Sequence, residues 1–121
     1  MKYVAISIFS FILLVVGFNP VYAATPETRD GVTRIHLDQH NGYFSAQETL
    51  AGLKPGNYEF VVTNKAGKLA GFQIQSSTGD QLDMFPLEPG ETKISKVSIS
   101  GDGFRYRCPI NPTPWYEVGV K

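Results

Sequence analysis

The chain has 121 residues, with eleven Lys and Arg against eleven Asp and Glu, 18% charged and 42% hydrophobic. Balanced and scattered charge removes the electrostatic reason to bind nucleic acid or an anionic membrane. The single cysteine, Cys108, excludes an intramolecular disulfide, so a core must hold the fold unaided.

Lys2 gives a short positive start, Val4 to Phe18 is almost wholly apolar, and Asn19-Pro20 breaks the run before Val21-Tyr22-Ala23. That order predicts a secretory signal peptide over residues 1–23, cut behind a small-x-small site. The rival reading, a retained anchor, needs an apolar run of about 20 residues, which this segment does not reach. Cleavage leaves one domain, with ten Lys and Arg against eleven acids, exported and expected in the periplasm. No membrane contact is expected after cleavage.

Residues 24–31 are polar and contain Pro26, which predicts a flexible lead-in, with the domain proper over 32–121. Short strand signals follow. Val32 to Leu37 opens with β-branched residues, Asn41-Gly42 marks a turn, and Tyr43 to Leu50 is mixed. Leu53-Lys54-Pro55-Gly56-Asn57 is a second turn. Tyr58 to Thr63 is the clearest strand, with Tyr58, Phe60 and Val62 on one face. Leu69 to Gln75 places Phe72 and Ile74 together. Leu87-Glu88-Pro89-Gly90 turns the chain into the β-branched stretch Thr92 to Ser100. Gly101-Asp102-Gly103 leads into Phe104 to Cys108, and Tyr116, Val118 and Val120 share a face at the end. No window holds a helical period over three turns. About seven short strands separated by Pro-Gly and Gly turns predict an all-β sandwich.

Three segments together resemble the cupredoxin, or blue-copper, family. They are Leu53-Lys54-Pro55-Gly56-Asn57 with the strand to Asn64 and its loop to Gly67, Leu87-Glu88-Pro89-Gly90-Glu91-Thr92, and Gly103-Phe104-Arg105-Tyr106-Arg107-Cys108-Pro109. The resemblance implies a Greek-key β-sandwich and places Cys108 where the family holds its copper cysteine. A blue-copper site needs two His nitrogens, one Cys thiolate and a weak axial ligand. The stretch expected to carry the first His reads Leu69-Ala70-Gly71-Phe72, so Gly71 or a close neighbour stands there. The loop expected to carry the second His and the Met, Pro109 to Trp115, has neither. An ordinary type 1 centre is therefore not expected.

Three readings of Cys108 stay open. Phe104, Tyr106 and Cys108 share a strand face, so the thiol can be a small buried apolar group. It can instead join Met84, His36 or His40 in a Cu(I) site, since Cu(I) accepts two or three soft ligands. His36 and His40 would meet on a helix, but four residues of strand cover about 13 Å. A reactive thiol is the third reading, although Arg105 and Arg107 alternate to the opposite face and no Cys-x-x-Cys is present. The cofactor expectation is accordingly none, or copper.

The loop Cys108 to Trp115 contains Pro109, Pro112 and Pro114, each of which fixes φ. A stiff loop carrying Ile110, Pro112, Pro114 and Trp115 would suit docking of a protein partner, because aromatic anchors dominate contact energetics. Alternatively Trp115 packs into the sandwich end. No catalytic constellation is present. Asp38 and His40 lack a nucleophile, Glu88 and Glu91 sit in a charged turn, and Gly101-Asp102-Gly103 precedes no helix. The expected function is a non-enzymatic interaction module, with copper handling as the alternative.

Overall fold

The computed structural model describes residues 24–111 and 113–121. The expected signal peptide and Pro112 lie outside the described residues. Among the described residues nine strands form in order: β1 (Glu27–Arg29), β2 (Val32–His40), β3 (Tyr43–Ala46), β4 (Gly56–Asn64), β5 (Ala70–Ser76), β6 (Gln81–Leu87), β7 (Thr92–Ile99), β8 (Phe104–Arg107) and β9 (Tyr116–Val118). The described residues contain no helix. One sheet runs β1-β2-β4-β7 with β3 also paired to β2, and the other runs β6-β5-β8-β9. The chain is an all-β, two-sheet sandwich, as the turn spacing predicts.

Two strands go beyond the expected seven. Within the stretch 24–31, expected as a lead-in, Glu27–Arg29 is a strand: Asp30-Gly31, at φ 56° and 77°, closes a two-residue hairpin that lays β1 on β2. Positive φ at both central residues matches the right-handed twist of the flanking strands. The same geometry recurs at Asn41-Gly42, at φ 55° and 107°, between β2 and β3. The other addition is β6. Its sequence does not alternate, and Pro86 lacks an N–H, which suits an edge strand.

The period-two faces sort as expected. Tyr58, Phe60 and Val62 of β4 are buried, as are Phe72 and Ile74 of β5 and Phe104, Tyr106 and Cys108 along β8. Buried aromatic rings form a connected cluster within the core. Phe72 touches Phe44, Phe60, Phe85 and Tyr106 at centroid distances of 5.9, 6.1, 5.6 and 6.2 Å. Phe44 and Phe60 belong to the first sheet, Phe85 and Tyr106 to the second, so this ring joins the layers. Tyr116 adds a polar link, its hydroxyl accepting from the Phe44 N–H at 3.1 Å.

Burial pushes the Tyr106 phenol above the usual tyrosine range, and the neighbouring Tyr116 adds to the shift. A raised folded-state value means that the unfolded chain ionises first. The stabilisation is complete below about pH 10, the unfolded value, and is lost as pH rises further. Denaturant midpoints measured from pH 8 to 11 should hold steady and then fall. Tyr106→Phe should flatten that fall, and an unchanged slope would refute the assignment.

Candidate functional site

The loop end of the sandwich is built from the β2–β3 hairpin, the loop after β4 and the segment 108–115. Two buried amides organise it. Gln39, fully buried, donates from Nε2 to the Gly71 carbonyl at 2.6 Å and accepts the Gly42 N–H on Oε1 at 2.5 Å. Asn64 donates to the carbonyls of Lys68 and Leu87, both at 2.9 Å, and accepts the Ala66 N–H at 2.8 Å. Buried polar groups are tolerated when paired in this way. The segment after Cys108 is then pinned to the hairpin turn. Asn111 Nδ2 donates to the Asn41 carbonyl and Thr113 Oγ1 to the Gly42 carbonyl, both at 3.0 Å.

Cys108 is fully buried, and its Sγ accepts the Asn111 N–H at 3.4 Å. The structure does not gather the expected metal ligands around it. Ile35, Leu37 and Gln39 of β2 face the core, so His36 and His40 project from the outer face of the first sheet. His36 is held there: Glu48 Oε2 lies 2.7 Å from Nδ1, while Glu48 Oε1 accepts the His36 backbone N–H at 2.6 Å. His40 Nε2 lies 3.1 Å from Ser45 Oγ. Met84 pairs in register with Gln73, between the inward Phe72 and Ile74, so it stands on the outer face of the second sheet and is 50% exposed. Thiol, imidazoles and thioether therefore occupy three separate surfaces. Among the described residues no three His, Cys, Asp or Glu side chains group closely enough to hold a metal ion.

In the stretch expected to carry a first copper histidine, at Gly71 or a close neighbour, Gly71 is the second residue of β5 and lies beneath the ring of Pro109. A Cβ at 71 would stand 3.1 Å from the Phe85 carbonyl oxygen and 3.2 Å from Pro109 Cγ and Cδ. Any side chain here forces the proline ring or the β6 backbone aside. The residues present do not fit a type 1 copper ion. The stretch Leu69 to Phe72, where the resemblance places a first imidazole, has none, and the loop from Pro109 to Trp115 supplies no imidazole or thioether.

Of the expected docking residues, Ile110 is 46% exposed and Pro114 is exposed. Ile110 joins Pro109, Met84, Phe85 and Pro86 around a shallow apolar depression. Trp115 does not pack into the sandwich end. It is half-buried on the outer face of the second sheet, where the guanidinium carbons of Arg105 and Arg107 lie 4.4 and 4.2 Å from its ring centroid. Arginine over an indole is an attractive cation–π contact. The outward alternation of both arginines was readable from the strand period, but their meeting with Trp115 was not, because the intervening loop sets it. No family model matches the chain, and a search of curated proteins finds no match.

Proposed function

We propose that the chain is an exported, cupredoxin-like interaction module without an ordinary type 1 copper site, and that it is not an enzyme. The observation that carries this reading is the packing of Pro109 over Gly71. A side chain at 71 would need the Pro109 ring or the Phe85 carbonyl to give way by a few tenths of an ångström. Two further features support a binding role. Pro109 and Pro114 each fix φ, and Asn111 and Thr113 are hydrogen-bonded to the β2–β3 turn, which lowers the conformational entropy these residues would lose on docking. Met84 and Ile110 are exposed around one apolar depression, and Pro114 and the half-buried Trp115 line another, a mixture of apolar and aromatic groups suited to a protein partner.

Copper handling through Cys108 with Met84, His36 or His40 is the competing reading, and metal titration separates the two. Purified protein is expected to develop no blue colour near 600 nm with Cu(II). Competed against a Cu(I) chelator, wild type and Cys108→Ser should behave alike. Intense absorption, or an affinity for Cu(I) that disappears in Cys108→Ser, would overturn the proposal.

A further inference from the structure

The outer face of the second sheet carries two arginines without an acidic partner. Arg105 donates from Nε and one Nη to Gln75 Oε1 at 3.0 and 2.8 Å. Arg107 donates from Nε to Gln73 Oε1 at 3.1 Å, and Gln73 Nε2 in turn donates to Gln81 Oε1 at 2.7 Å. Gln73 is 8% exposed, so this network is built into the sheet. Neither guanidinium has a carboxylate within salt-bridge distance among the described residues, although Arg34 and Arg29 elsewhere both do. Glu117 stands opposite Arg105 in the β8–β9 register but forms no ion pair with it. A guanidinium has five N–H donors. Arg105 commits two of them to protein acceptors and Arg107 one. The amides and the indole hold both side chains in place without neutralising them.

We infer that this face, formed by Arg105, Arg107 and Trp115, binds an extended acidic segment of a protein partner bearing carboxylates at alternate positions. The inference rests on the interaction-module reading and names the partner's chemistry. Arg105 and Arg107 are two residues apart on one strand, which separates them by about 6.6 Å. An extended peptide repeats its side chains on one face at the same pitch, so two alternate carboxylates match two guanidiniums. Arginine is suited to this because its planar fork takes a carboxylate through paired N–H donors. Prior fixation by Gln73, Gln75 and Trp115 lowers the ordering cost of binding.

Trp115 is the chain's single tryptophan and reports on the face directly. Purified protein is titrated with a short peptide carrying Glu at alternate positions, and with the same peptide carrying Gln. The Glu peptide should change Trp115 emission saturably, with an affinity that falls as salt is raised; the Gln peptide should not. Arg107→Gln should weaken binding on the order of tenfold, as loss of one charge-assisted pair implies. Glu117→Gln, which removes the nearby competing carboxylate, should tighten it. Because Arg107→Gln also removes a member of the Gln73 network, the doubly reversed Arg105→Glu, Arg107→Glu protein is tested against an alternating Lys peptide. Binding there supports charge matching. A wild-type chain that ignores the Glu peptide, or binds it as well as the Gln peptide, overturns the inference and leaves the copper-free module standing. Saturable binding of a polyuronate without binding of the Glu peptide also overturns it, by assigning the face to acidic glycans. Tight Cu(I) binding, measured separately, is the result that removes the underlying reading.

Discussion

Gly103→Ala should lower the thermal midpoint by about 12 °C or more. Gly103 adopts φ 90°, where an L side chain is strained, at a cost of about 1–3 kcal/mol. The larger difficulty is steric. A Cβ here would lie 2.5 Å from the Val118 carbonyl oxygen and 3.1 Å from Ser77 Oγ. The serine side chain can turn away, but the carbonyl belongs to β9, whose Val118 is in register with Phe104. Relief of the clash must therefore displace the strand that follows Trp115. A combined cost of about 3 kcal/mol is reasonable for strain plus displaced backbone, and each kcal/mol moves the midpoint of a domain this size by about 4–8 °C. Gly90→Ala is the control, since Gly90 has φ 79° and nothing within 4 Å of the Cβ position. It carries the conformational cost without the collision. Equal midpoints for the two variants, followed by circular dichroism, would mean that β9 yields freely and that the close approach has no energetic weight.

The parts legible in the sequence are those governed by local period and turn chemistry. Tyr58, Phe60 and Val62 are buried because a strand repeats every two residues, and the same rule places Arg105 and Arg107 opposite Cys108. Asn41-Gly42 turns the chain because these residues accept positive φ. Asp30-Gly31 carries the same signal, so β1 was within reach of that rule. What escapes is set by chain segments that are distant in sequence. Met84 and Gln73 share a face only because β5 and β6 pair in one particular register. Glu48 reaches His36 across twelve residues, and no periodicity announces it. The roof over Gly71 is a contact between residues 71 and 109. Sequence shows a glycine at 71, whereas only three dimensions show that Pro109 closes over it. The same limit applies to Trp115, whose ring meets Arg105 and Arg107 after the chain has doubled back from β8 through the proline-rich segment.

Phe72→Ala should cost about 3–5 kcal/mol, the range for removing a buried aromatic ring from a core. Several neighbours lose contact together. Phe44 and Phe60 approach the ring from the first sheet, and Phe85 and Tyr106 flank it within the second. Each lies on a strand paired to others, so relaxation into the space requires sheets to move rather than one side chain to rotate, and part of the cavity should persist. Phe72 also follows Gly71, whose carbonyl accepts from Gln39. Loosening of the ring should therefore spread to the hydrogen bonds that tie β5 to the β2–β3 turn. Phe85→Ala provides the comparison. Its ring is only partly buried and packs at the core's margin under Lys93, whose ammonium lies 5.7 Å from the ring centroid. Denaturant unfolding of the two variants should rank Phe72→Ala well below Phe85→Ala, with amide exchange at Gly42 accelerated in the former. If the order is reversed, or if Gly42 exchange is unchanged despite the lost stability, then the coupling between the aromatic core and the loop end is not carried by Phe72.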